Sequence, residues 1–138
     1  MACEDMRLVL EFTAGECNGL MDLAVILPND EIKPAIVQGH NSISLLVTPG
    51  KLRLETSGKD MRYDTVVDAE GTVIRDKHIN ITSMTLEGLR FDWNELNDLF
   101  FLPYIGTNTS KEIEIPSRDS LIRWYLRLKE KYNVSKRG

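Results

Sequence analysis

A chain of 138 residues holds one comfortable hydrophobic core rather than two, and 42% hydrophobic with 28% charged residues is the composition of a folded chain, which excludes extended disorder. A formal net charge of −4 lacks the basic field that phosphate neutralisation needs, so a general nucleic-acid binder is excluded. No apolar run approaches the length of a membrane span, and Cys3 and Cys17 have neither zinc spacing nor a disulfide framework, so both read as reduced thiols.

In chain order, Leu8-Val9-Leu10-Glu11-Phe12 reads as a first strand, and Gly15 to Gly19 as a turn-rich loop. Met21, Leu23, Val25 and Leu27 repeat with period two until Pro28 stops them, and Pro34 to Val37 is compatible with a short edge strand. Ser42 to Val47 and Lys51 to Thr56 flank Thr48-Pro49-Gly50, which predicts a hairpin. Thr65 to Ile74 predicts a second hairpin, two β-branched runs around a polar loop in which Gly71 takes positive φ at little steric cost.

The long stretch from Asp76 to Gly88 alternates through Ile79 and Ile81 and then changes phase to Met84 and Leu86, which predicts a strand with a bulge or twist near Ser83. Phe91 to Phe101 fits either a short helix capped by Asp92 or an irregular aromatic loop, and Lys111 to Ile115 alternates cleanly before Pro116. Ser117 offers an N-cap to a helix of about 117–132, in which Leu121, Trp124, Tyr125, Leu128 and Tyr132 share one face. These elements predict a single all-β domain over 1–138, an antiparallel β-sandwich of jelly-roll type with a C-terminal amphipathic helix. Leu8, Leu10, Leu23, Val25, Leu45, Leu54, Ile79, Ile81, Met84 and Leu86 are its expected core.

Candidate chemistry is sparse. Ser42, Ser44 and Ser83 stand in no nucleophile motif, and His40 and His78 are far apart in sequence, so no catalytic residue is assigned and the chain is expected not to be an enzyme. Asp60, Asp64, Asp68, Glu70 and Asp76 form an acidic series without EF-hand spacing, which reads first as solvated turn chemistry. Trp93, Phe100, Phe101 and Tyr104 are the expected contacts for a protein partner or a glycan, rimmed by Asp92, Glu95 and Asp98; the competing reading makes these rings a plug for the end of the core.

Asp76, Lys77, Ile79, Ile81, Met84, Leu86 and Gly88 fall in a register that resembles the late strand of calcium-dependent xylan-binding modules, which are jelly-roll sandwiches. Leu52 to Thr56 is similar to the strand that leads into that motif. Tyr104 to Asn108, Ile113 to Pro116 and Trp124-Tyr125-Leu126 resemble segments of small bacteriophage sandwich proteins. The resemblance implies a sandwich that binds rather than catalyses. This chain departs from the modules by placing Thr82 where they carry a second calcium-binding aspartate, and Glu87 where they carry an asparagine. A hydroxyl is a poor calcium ligand beside a carboxylate, so no tight metal site or cofactor is expected, and calcium would bind at most weakly, at Asp64, Asp68 and Asp76.

The expected function is a non-catalytic structural or decorating protein of a phage-like virion with some glycan-binding character; the alternative is a free carbohydrate-binding module or lectin. Expected partners are a protein in a larger assembly, which includes further copies of this chain, or a glycan, with no nucleic acid and no membrane insertion. The acidic start Met1-Ala2-Cys3-Glu4-Asp5 is unlike a secretory signal, so synthesis in the cytosol, with incorporation into a virion there, is the expected location.

Overall fold

Eleven strands and two helices form around one hydrophobic core in a computed structural model, which describes residues 5–28, 30–60, 62–100, 104–105 and 108–137. The strands are β1 (Met6–Gly15), β2 (Asp22–Leu27), β3 (Asp30–Ile32), β4 (Gly39–Val47), β5 (Gly50–Ser57), β6 (Thr65–Val67), β7 (Val73–Asp76), β8 (His78–Leu86), β9 (Leu89–Asp92), β10 (Tyr104–Ile105) and β11 (Thr109–Ile115); the helices are α1 (Trp93–Phe100) and α2 (Leu121–Arg137). One antiparallel sheet runs β10-β8-β1-β4, with β9 on the same side of β8 as β10, and the other runs β11-β5-β2-β3. Among the described residues, β6 and β7 pair only with each other, as a separate two-stranded ribbon.

Period-two alternation dictates which face each strand buries. Met6, Leu8, Leu10 and Phe12 of β1 face Leu23 and Val25 of β2 and Leu52 and Leu54 of β5 across a shared interior, and every residue of the expected core is buried. The phase change in β8 is a bulge: Glu11 pairs with Ser83 but Phe12 pairs with Ile81, so Thr82 is the extra residue. Its hydroxyl donates to the Glu11 carbonyl (3.0 Å), and the slip lets Ile79 and Ile81 before it and Met84 and Leu86 after it all point inward. β8 then returns as β9 through Glu87-Gly88, both at positive φ, as a two-residue hairpin turn requires.

Three expectations change. β4 and β5 are not a hairpin, because β4 pairs with β1 in one sheet and β5 with β2 and β11 in the other. Thr48-Pro49 crosses between sheets, which sets the apolar rows of the two strands face to face instead of side by side. The edge strand beside β2 is β3, not Pro34 to Val37; that segment runs irregularly, held by Asn41, whose amide donates to the Val37 carbonyl (2.8 Å) while its Oδ1 accepts the Val37 N–H (3.0 Å). Ser117 does not cap the helix through its side chain, because its hydroxyl bonds Ser120 (3.1 Å); a single 3₁₀ turn, Arg118–Ser120, precedes α2, which starts at Leu121 and extends past 132.

Because Ile81 lies in the middle of β8 and is fully buried, Ile81→Ala is expected to cost about 2–5 kcal/mol through lost burial and the cavity left behind. Urea denaturation checks this, and an unchanged midpoint contradicts a central β8.

Candidate functional site

Helix α1 begins directly after β9, and the Asp92 N–H donates to Glu95 Oε1 (3.1 Å), one half of a capping box. The expected contact residues separate from this point. Trp93 is 41% exposed, with its ring oriented by Nε1–H donating to Asn80 Oδ1 (3.0 Å). Phe100 instead turns inward, half-buried, edge-on to Phe91 (5.6 Å between centroids) and stacked on Trp124 (6.5 Å). Phe91 also meets Trp124 (5.6 Å) and Tyr125 (5.1 Å), so this cluster seats α2 on the sandwich. Phe100 therefore packs into the plug. Phe101 lies outside the described residues, as does the side chain of Tyr104, whose backbone in β10 pairs with Asn80 of β8.

The expected acidic rim is also divided. Asp92 is exposed and bonds Arg90 Nε (2.7 Å), and Asp98 is exposed, but Glu95 is buried and ion-paired with Lys129 of α2 (2.5 Å). Burial opposes the charge on Lys129, but its bonds to Glu95 and Tyr125 outweigh that cost and raise its pKa. Glu95 therefore fastens two helices together and rims nothing.

The acidic series resolves into a polar lattice at the base of the β6–β7 ribbon, where the loops after β1 and β5, the β7–β8 junction and Asn108 before β11 converge. Lys59 Nζ bonds Asp76 Oδ1 (2.6 Å), which also accepts the Thr65 hydroxyl (2.7 Å). Lys77 Nζ pairs with Asp64 Oδ2 (3.1 Å) and donates to the Gly58 carbonyl (2.9 Å). Asp64 further accepts the Asp60 N–H (2.6 Å) and the Asn18 amide (3.2 Å), and Asn108 brackets Lys59 with two backbone bonds of 3.0 Å. Lys59, Asp64 and Lys77 are all buried. Asp68 stands apart at the ribbon's tip, where Oδ1 accepts the N–H groups of Glu70 and Thr72 (2.9 Å each) and closes the loop around Gly71, whose φ is +85°.

The three calcium candidates are thus engaged by the chain itself, two by buried lysines and one by its own turn. A cation at Asp64 or Asp76 would have to displace an ammonium group. Among the described residues, no three His, Cys, Asp or Glu side chains are grouped to hold a metal ion, and no helix is long and apolar enough to cross a membrane. Cys17 is buried as a free thiol, 3.8 Å from the Tyr63 carbonyl.

Three features escaped the sequence reading. The lattice was missed because charged loop residues read as solvated; its signal was the pair of Lys–Asp neighbours, Lys59-Asp60 and Asp76-Lys77, bracketing a hairpin. The second is apolar surface. Val67, Val73 and Ile74 on the ribbon, and Ile122, Leu126 and Val134 on the outer side of α2, are each more than half exposed. In addition, a cleft of about 500 Å³ opens on the second sheet, lined by Asp22, Ala24, Glu31, Lys33, Glu55 and Ser57 among others.

Phe91→Ala is expected to cost about 3–5 kcal/mol, whereas Trp93→Ala, losing one exposed hydrogen bond and half-solvated area, is expected to cost about 1 kcal/mol. Equal losses in chemical denaturation contradict this division. For Asp64, the Asp60 N–H is the main cause of a carboxyl pKa below the ordinary aspartate value; desolvation opposes it, and Lys77 and Asn18 add to it. A depressed folded-state pKa stabilises fully above the unfolded value of about 3.9, and that contribution is lost as pH falls through the folded value. Asp64→Asn should therefore lower stability near neutrality, and the gap from wild type should close below about pH 4. A gap independent of pH in denaturant titrations contradicts it.

No protein-family model, curated protein or solved structure matches this chain.

Proposed function

We propose that the chain is a non-catalytic structural protein, a sandwich that decorates or joins the shell of a phage-like particle and is incorporated after synthesis in the cytosol. One observation carries this: the β6–β7 ribbon holds Val67, Val73 and Ile74 out in solvent on a base fixed by the ion pairs of two buried lysines. An isolated two-stranded hairpin is marginal in water, and exposed β-branched side chains add nothing to it until something covers them. A braced apolar arm of this kind is what a subunit needs in order to grip a neighbour. The role calls for no calcium, and the pairing of Asp76 with Lys59 and of Asp64 with Lys77 supports that reading.

The alternative, a free carbohydrate-binding module, is favoured by the cleft on the second sheet. Its carboxylates and hydroxyl can bond sugar hydroxyls, and the exposed face of Trp93 offers a separate stacking surface. Native mass measurement together with a glycan array separates the two. Incorporation into a multi-subunit particle without a sugar hit is expected; a monomer with a specific glycan hit overturns the structural role in favour of the alternative.

A further inference from the structure

The two exposed apolar surfaces differ in their charged surroundings. On α2, Ile122, Leu126, Glu130 and Val134 follow at four-residue spacing, and the next row along the helix is Arg123, Arg127 and Lys131, all exposed. On the ribbon, Val67 and Val73 are register partners with Ile74 bulged beside them, and the loop that joins the strands carries the exposed Asp68 and Glu70. One patch is apolar with a basic flank; the other is apolar with an acidic flank.

They also start from opposite ends of the same strand. β7 leads through Lys77 directly into β8, whereas the far end of β8 turns at Glu87, to which Arg118 ion-pairs (2.8 Å) just before α2 begins. Nine residues of strand put roughly 30 Å between those ends. A contact that joins the ribbon of one copy to α2 of the next, leaving the reciprocal pair free, is heterologous and propagates head to tail into a ring or an open chain.

Resting on the assembly role proposed above, we infer that the partner of the ribbon is α2 of a second copy of this chain. Val67, Val73 and Ile74 lie along Ile122, Leu126 and Val134, while Asp68 and Glu70 face Arg123, Arg127 and Lys131. Each patch is small, so a single contact is weak, no tighter than roughly micromolar, and gains strength when repeated around a closed assembly. Part of the attraction is between exposed charges, so added salt weakens it.

Mixing two variants tests this. Val73→Asp disables the ribbon and Leu126→Asp disables the helix; both positions are exposed, and equal denaturation midpoints establish that the folds are intact. By sedimentation velocity, the wild type is expected to associate with concentration. Each variant alone is expected to associate at least tenfold more weakly, and an equimolar mixture to form a 1:1 dimer that goes no further, since one intact ribbon meets one intact helix. Self-association by either variant at wild-type strength, or a mixture that stays monomeric while the wild type associates, overturns the pairing. A wild type that stays monomeric at every concentration, yet is incorporated into a particle with other proteins, overturns this inference and leaves the structural role standing.

Discussion

The projecting ribbon depends on two lysines buried beneath it. Taking an ammonium and a carboxylate out of water is costly, and their attraction offsets that cost only when the remaining donors and acceptors are also satisfied. That condition is met here: Lys77 reaches the Gly58 carbonyl as well as Asp64, Asp64 accepts from Asp60 and Asn18, and Asp76 accepts from Thr65 as well as Lys59. The groups come from the loop after β1, the loop after β5 and the junction before β8, so the lattice ties distant parts of the chain to one point. Removing one member of a buried pair costs on the order of 3–5 kcal/mol because the other is left charged and unpaired. What the pairs supply is position: they aim a short ribbon that has no third strand among the described residues to support it.

An exposed apolar ribbon is also a hazard, because its open edges invite pairing with any other strand. The chain limits that hazard in two ways. The bulge at Ile74 disturbs the regular edge, and Asp68 and Glu70 place like charges at the tip, so that two ribbons repel each other. The basic row on α2 reverses that effect for one particular surface. The core, meanwhile, is indifferent to all of this, since its apolar rows are complete without the ribbon.

Much of the sandwich was legible in the sequence because strand burial follows a strict alternation. The bulge was legible for the same reason: an odd step between Ile81 and Met84 has to be absorbed somewhere, and Thr82 absorbs it. The crossing from β4 to β5 was not legible, because Thr48-Pro49-Gly50 suits a hairpin and a sheet-to-sheet arch equally, and the choice is made by strands far away in sequence. Aromatic residues between Phe91 and Phe100 share one composition but opposite fates, set by which side of α1 faces α2. The buried lysines were hidden because loop charge is usually solvated; only the convergence of distant segments takes it out of water.

Amide hydrogen exchange across residues 64–77 tests most directly whether the lattice holds the ribbon in place. Lys77 N–H bonds the Asp64 carbonyl and Asp68 N–H bonds the Thr72 carbonyl (2.9 Å each), so these amides report the base and the tip of the ribbon. In the wild type both should be protected, the Lys77 amide to nearly the same degree as those in the middle of β8. In Lys77→Met, protection should fall across the whole ribbon while β8 and β1 keep theirs. Ribbon amides that exchange freely in the wild type, or that keep full protection in the variant, would contradict an arm held in place by buried charge.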